Sequence, residues 1–303
     1  MDLKLYSNPN LWNAKIAQCK DGSIFHTFEW GELMKVLPNV EFSAIEITDG
    51  CFVLLFKQLN EFYTSIIGYG GFCTFPTCNI NYMDALKLLQ EKTGYTMVRS
   101  HMGSACDLNK IKNSLDSKYE LRERRTQILA LQNSHDDFWH SIKGKARTGV
   151  KYARKNGVVI KEITSKQLEN MHLMYLSFIE KLDISYTLPI DFFILLQKKL
   201  PKNSLLLGAY MDGLLVGFNV YVYDAKFFYF LLSVQNDLAK KTQAGYALMN
   251  AGVEIAINLR IKYLDLGYSH NEKIVKFKEL WGAGFSSTYF LHFNTPNMHK
   301  GEC

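Results

Sequence analysis

The sequence predicts a mixed α/β fold built twice, two units sharing one α-α-β-β-β-α-β order. Three observations predict it. First, two aromatic-rich stretches, EFSAIEITDGCFVLLFKQLNEFYTSIIGYGGF (41–72) and SLLLGAYMDGLLVGFNVYVYDAKFFYFLLSVQ (204–235), each read as strand, Asp-Gly turn, strand, connection and aromatic strand. Asp-Gly between two β-rich runs is a strong hairpin signal. Second, the turns Asp49-Gly50 and Asp212-Gly213 are 163 residues apart (212 minus 49), and each hairpin follows a helical stretch closed by Leu-Pro. Third, each triplet of strands is followed by a helical stretch and one further strand.

In order, the first unit takes helices near Leu11–Cys19 and Thr27–Val36, the second closed by Leu37-Pro38-Asn39. Proline ends a helix because it carries no N–H and its ring clashes with the preceding turn. The three strands of 41–72 follow, then a helix at Tyr82–Lys92, a strand at Tyr95–Ser100 and a strand at Glu120–Leu131. The second unit opens with the basic helix of 142–158. Helices at Gln167–Lys181 and Ile190–Lys199 come next, the latter closed by Leu200-Pro201-Lys202. The strands of 204–235, a helix at Gln243–Leu259 and a strand at Ile261–Leu266 complete the repeat. Sequence identity between the units is slight; the order of elements carries the duplication. The expected division is residues 1–135 and 136–303, with the site in the second unit.

Composition excludes several classes. Hydrophobic residues make up 48% and charged residues 21%, enough apolar material for a packed core. The net charge of +6 and pI near 8.8 suit an anionic partner without demanding one. No signal-peptide core and no run of transmembrane length is present, so a cytoplasmic location is expected. Cys19, Cys51, Cys73, Cys78, Cys106 and Cys303 form no CxxC pair and read as reduced thiols. The eight histidines lack HxxxH or HExxH spacing, so no metal site is expected.

A helix from about Asn271 to Trp281 raises a question of its own. Ile274, Phe277 and Trp281 recur at helical spacing with Val275 beside them, an apolar stripe that should face a core. Lys278 falls in the middle of it. An ammonium group taken out of water is costly without compensation. It is either a lysine whose stem packs while its head reaches water, or a cation placed for chemistry.

The element order and several segments together resemble the Fem family of amide-forming aminoacyltransferases and their GNAT-like relatives. The segments are IKGKARTGVKYARKNGV (142–158), LDISYTLPIDFF (182–193), YLDLG (263–267) and Phe277-Lys278. The resemblance runs from about Trp12 to Phe290 and implies a tandem GNAT-like (acyl-CoA N-acyltransferase) fold. It implies that Lys278 stabilises the oxyanion of a tetrahedral intermediate. It also points to Gly245, Tyr246 and Ala247, with Lys241 just upstream, as the helix start where GNAT enzymes hold the pyrophosphate of coenzyme A. Thr242 stands where that signature has Arg or Gln, which leaves the donor open between acyl-CoA and aminoacyl-tRNA.

Other candidates rest on position. Lys143, Arg147, Lys151 and Lys155 recur every fourth residue opposite the apolar Ile142, Ala146, Val150 and Ala153, a row of cations for an anion; Arg147 fits the family's arginine. Asp265 ends a strand, where it either orients Lys278 or acts as a base. Tyr229 and Tyr246 are candidates for the acyl pocket, and Phe277 joins Arg147, Lys151 and Tyr229 as a candidate for binding the anion or acceptor. His101, ending the matching strand of the first unit, is a second candidate base. Leu188 stands where peptidoglycan-acting relatives can have Arg, which argues against the standard cell-wall precursor.

The expectation is therefore an N-acyltransferase without a resident cofactor. It moves an acyl group from acyl-CoA, or alternatively from aminoacyl-tRNA, to a small amine or an envelope or glycan precursor. A reading of another class is a non-catalytic RNA- or precursor-binding module on the same fold.

Overall fold

The computed structural model describes residues 3–48, 50–102, 108–115, 117–182, 187–269 and 271–293. The chain separates into two compact units, residues 1–124 with 287–303, and residues 125–286. This differs from a single break at 135/136, and strand pairing explains why. Strand β7 (Tyr119–Ala130) begins in the first unit, but its second half pairs with a strand of the second; the final strand, β13 (Gly284–Phe293), pairs back in the first through Tyr289↔Met102 and Phe290↔His101.

The first unit contains β1 (Lys4–Tyr6), α1 (Pro9–Ile16), α2 (Phe28–Met34), β2 (Val40–Thr48), β3 (Cys51–Gln58), β4 (Glu61–Tyr63), β5 (Phe72–Thr74), α3 (Tyr82–Thr93), β6 (Met97–Met102) and α4 (Leu108–Ser114). Its strands run in the order β1-β2-β3-β4-β6-β13, with β5 also on β3 and only β4–β6 parallel. Each helix start has a local cause. Asn8 accepts from Leu11 N and is followed by Pro9, Thr27 accepts from Trp30 N, and Asn81 accepts from Asp84 N. Gly94, at φ +71°, closes α3 in the left-handed conformation with its N–H on the Gln90 carbonyl. A core of Ile45, Val53, Leu86 and Leu89 lies between α3 and the sheet.

The second unit continues from β7 through α5 (His135–Ser141), α6 (Gly144–Lys155), β8 (Val159–Glu162), α7 (Leu168–Lys181), α8 (Ile190–Lys199), β9 (Ser204–Met211), β10 (Leu214–Tyr223), β11 (Phe227–Gln235), α9 (Asp237–Lys241), α10 (Ala244–Asn258), β12 (Tyr263–Tyr268) and α11 (Glu272–Glu279). Its strand order is β7-β12-β11-β10-β9-β8, with only β11–β12 parallel. Asp212 and Gly213, at φ +48° and +81°, form the two-residue turn joining β9 to β10, with Met211 opposite Leu214. In the first unit Gly50 stands at φ +82° and Thr48 pairs with Cys51; Asp49 lies outside the described residues, as do residues 183–186 of the 182–193 segment. Helix α10 packs on α6, and its Val253 and Ala256 join Val150, Ala153, Phe228 and Leu264 in one core.

The third strand of the repeat differs between the units. In the second it is a continuous strand of nine residues, β11; in the first it breaks into β4 and β5, three residues each. No helix among the described residues is long and apolar enough to cross a membrane. No group of three or more His, Cys, Asp or Glu among them is placed to hold a metal.

Candidate active site at a splayed strand pair

Parallel pairing between β11 and β12 covers Phe227↔Tyr263, Phe228↔Leu264 and Tyr229↔Asp265, and then stops. Strand β11 runs on to Gln235 paired only with β10, while β12 turns away. The cause is a bulge in β12. Between Asp265↔Ile128 and Tyr268↔Thr126, three steps of β12 face two of β7. Gly267 takes the extra step at φ +69°. Beyond Tyr229 the residues Phe230, Leu231, Leu232 and Ser233 are only half-buried, on an edge of β11 that β12 no longer pairs.

Lys278 reaches the turn of β12 beside this edge. It is the one buried residue of α11, 3% exposed, and its Nζ donates to the carbonyls of Gly267 (2.8 Å) and Tyr268 (2.9 Å). Burial pushes its pKa down to about 8, against the opposing pull of the Asp265 carboxylate. Asp265, itself buried, shapes the turn. Its Oδ1 accepts from Gly267 N (2.7 Å), an Asx-type turn, and from the Thr126 hydroxyl. Of the two roles open to Asp265, the geometry supports orientation: its carboxylate bends the strand whose carbonyls hold Lys278.

Two residues outside the sequence reading hold this corner. Thr126 anchors Asp265. Gln127, fully buried, donates to the Val275 carbonyl (3.3 Å) and accepts from Ser269 Oγ (2.8 Å), fastening α11 to the end of β12. Both lie in RRTQIL, a stretch without a motif; only its burial as a central strand marks it.

The apolar stripe expected on α11 needs correction. Ile274 is 37% exposed and Phe277 only half-buried. Ile274 sits in the first turn, capped by the Asn271 side chain, and only the last turn, with Lys278 and then Trp281, reaches the core. Phe277 stands edge-on to Tyr246 with ring centroids 5.0 Å apart. Tyr246, whose hydroxyl pKa is raised by burial, also covers Gly149 so closely that a Cβ there would lie 2.6 Å from its ring. Tyr229 pairs in register with Asp265. The structure thus brings Lys278, Asp265 and Tyr229 to the splay, while Phe277, next to Lys278 on α11, packs on Tyr246 of α10.

The remaining candidates lie on α10, α9 and α6. Gly245 and Ala247 are buried in the first turn of α10, after Gln243 at φ +57°. A Cβ on Gly245 would lie 2.6 Å from the Gln235 amide, the far end of a half-buried side chain that must swing aside to make room. Lys241 is exposed on α9, and Lys151 is exposed on α6. Arg147 Nη1 donates to the carbonyls of Trp139, His140 and Ile142, closing the end of α5. In this structure Arg147 ties helices together. Leu188 donates its N–H to the Tyr175 hydroxyl at 3.0 Å, just before α8.

The equivalent place in the first unit is filled. Pairing of β4 with β6 ends at Tyr63↔Arg99, and residues 64–71 fold over the rest of β6. Arg99 donates to the carbonyls of Ser65 and Ile66, and His101 Nδ1 lies 2.7 Å from the Gly70 oxygen. His101, proposed from sequence as a base, is buried there with its pKa lowered to about 4, chiefly by burial. Gly71, at φ +98°, is the tightest point: a Cβ would lie 2.1 Å from the His101 carbonyl oxygen. Gly71→Ala is therefore expected to cost about 3 kcal/mol, read as a fall in denaturant midpoint with unchanged slope. Wild-type stability in that variant would contradict this packing.

No protein-family model matches the chain, and no curated protein matches it in sequence. Solved structures do. A crystal structure of FemX superposes with a TM-score of 0.73 at 12% identity, covering 97% of this chain and 98% of that one. L-PGS from Bacillus licheniformis gives 0.62 at 10% identity, over 96% and 93%. A tandem GNAT protein from the clavulanic acid biosynthesis pathway gives 0.58 at 9% identity, over 98% and 100%. The fold is Fem-like and tandem GNAT-like. At these identities the likeness speaks for the fold alone.

Proposed function

We propose that the chain is an amide-forming N-acyltransferase whose site is the splay of β11 and β12. The observation that carries this reading is a buried lysine held by two strand-end carbonyls beside an open strand edge. An acceptor amine attacks the carbonyl of an activated ester or thioester. Its electron pair forms the C–N bond, and the carbonyl electrons move onto oxygen. As the tetrahedral intermediate collapses, the thiolate or alkoxide departs, and the proton lost by the amine balances the leaving group. Lys278 steadies the oxyanion in a partly dry cleft, where one such donor is worth about 3–4 kcal/mol. The names of FemX and L-PGS among similar structures support an acceptor from the cell envelope. Acyl-CoA is the favoured donor.

An aminoacyl-tRNA donor is the second reading, favoured by one observation. Lys143, Lys145, Lys151, Arg154 and Lys155 are all exposed on or beside α6, which carries no acidic residue. Calorimetric titration with coenzyme A and acetyl-coenzyme A separates the two. Micromolar binding supports the thioester donor; no binding at millimolar ligand removes it. RNA binding through these five cations should then fall with salt at a log–log slope of about −4. A slope near zero would exclude α6 as its contact face. Because Gly245 is buried in the first turn of α10 while Lys241 is exposed, Lys241→Gln tests the donor site more cleanly than a bulky residue at 245.

A further inference from the structure

Helix α7 packs on β10 and β11, and its last two turns enclose a space against the end of β11. They leave a hollow of about 130 Å³ lined by Met174, Ser177, Phe178 and Lys181 of α7, Leu182 after it, Val234, Gln235 and Asn236 at the end of β11, and Lys240 of α9. The four α7 residues recur at i, i+3, i+4 and i+7, one face of the helix. Met174, Phe178 and Val234 make an apolar wall, while Lys181 and Lys240 stand at an exposed rim. Lys240 pairs with Asp237 at 3.2 Å, and Lys181 acts on the same carboxylate. With Lys241 acting on it as well, three cations share one exposed anion, leaving positive charge over an apolar floor.

The hollow is small. Whole ligands occupy pockets of about 300–1,000 Å³. A volume of this size equals that of about four waters, enough for a chain of about four carbons. It is also connected to the proposed site through one strand. Val234 lies five residues beyond Tyr229 on β11, about 16 Å along the strand, and the residues between them are those left half-open by the splay.

We propose that this hollow is a subsite for the alkyl monoanion end of a substrate, a chain of about four carbons carrying a carboxylate or a phosphate that meets Lys181 and Lys240. Its place on the reaction path rests on the acyltransferase reading; its existence as a binding site does not.

The test is a ladder of free probes, acetate to hexanoate, with butyl phosphate and 1-pentanol, titrated by ligand-observed NMR against the intact chain. Affinity is expected to rise about fourfold per methylene and to level off at pentanoate. Pentanol should bind about threefold more weakly, as expected of an exposed charge contact. The relative strength of pentanoate and butyl phosphate decides which anion the rim prefers. Ser177→Phe, at an exposed position, should fill the hollow and abolish binding. Lys181→Glu should weaken both anions and leave pentanol unchanged, which keeps the test independent of how Ser177→Phe folds. Lys278→Met should bind the probes as wild type does, so loss of the catalytic reading would not imitate loss of the subsite. No binding at 10 mM of any probe (roughly the weakest affinity worth calling a site), no chain-length dependence, or binding untouched by both variants would overturn the proposal.

Discussion

Replacing Lys278 with methionine is expected to lower turnover by about 10²–10³ while the protein stays folded. Methionine keeps the apolar stem beside Trp281 and removes only the ammonium. The variant loses two hydrogen bonds, to the Gly267 and Tyr268 carbonyls, and sheds the cost of burying a charge. These opposing effects should keep its melting temperature within a few degrees of wild type at pH 7. The pH dependence follows from the lowered pKa. Lys278 is a cation below about pH 8 and loses its charge above it, so wild-type kcat should fall on that alkaline limb. The stability sign is the reverse. The folded pKa lies below the unfolded value of about 10.4, so the buried ammonium costs stability below pH 8 and the cost fades between pH 8 and 10.4. Wild type should therefore gain stability relative to Lys278→Met over that interval. Turnover within tenfold of wild type in the methionine variant would remove Lys278 from the chemistry.

Much of this site was legible in the sequence because its signals are local. Asp212-Gly213 specifies a turn by backbone conformation alone, and a lysine amid apolar residues picks out a position whose charge needs an explanation. The Asp265-x-Gly267 spacing marks an Asx turn by the same local logic. The parts that were misread depend on distant partners. Ile274 has the right spacing for a core position, yet it lies in a helical turn that no neighbour covers. The first unit has the aromatic content of an unbroken third strand, and Gly68, Gly70 and Gly71 let that segment fold over β6 instead. Strand exchange at 124/125 and 286/287 leaves no trace in composition, because a strand's sequence records burial and not which neighbour pairs with it.

The largest stability effect is expected in the first unit, on mild acidification. His26 and His101 are both buried there, 5% and 6% exposed, each with its pKa lowered to about 4. Burial is the leading cause for both, and His101 adds to the shift of His26. Both are neutral when folded and titrate near 6.5 when unfolded. The folded pKa is the lower one, so the unfolded state binds protons first as pH falls. Their stabilisation is complete above about pH 6.5 and is lost progressively toward pH 4, about 3 kcal/mol for each histidine. His292, also lowered to about 4 but less enclosed, adds a smaller loss in the same window. A typical domain is stable by roughly 5–15 kcal/mol, so the first unit should be close to unfolding by pH 4.5, before most carboxylates protonate. Amide hydrogen exchange in β3 and β6 at pH 7, 5.5 and 4.5, corrected for intrinsic rates, reads this directly. His101, whose Nε2 lies 2.7 Å from the Thr288 hydroxyl and Nδ1 near the Gly70 oxygen, can be replaced by glutamine; His101→Gln keeps an amide there without a titrating ring and should flatten the dependence by about half. Protection that stays constant from pH 7 to 4.5 would show that the two imidazoles are hydrated or paired in solution, and the buried pair would have to be abandoned as the unit's acid-sensitive element.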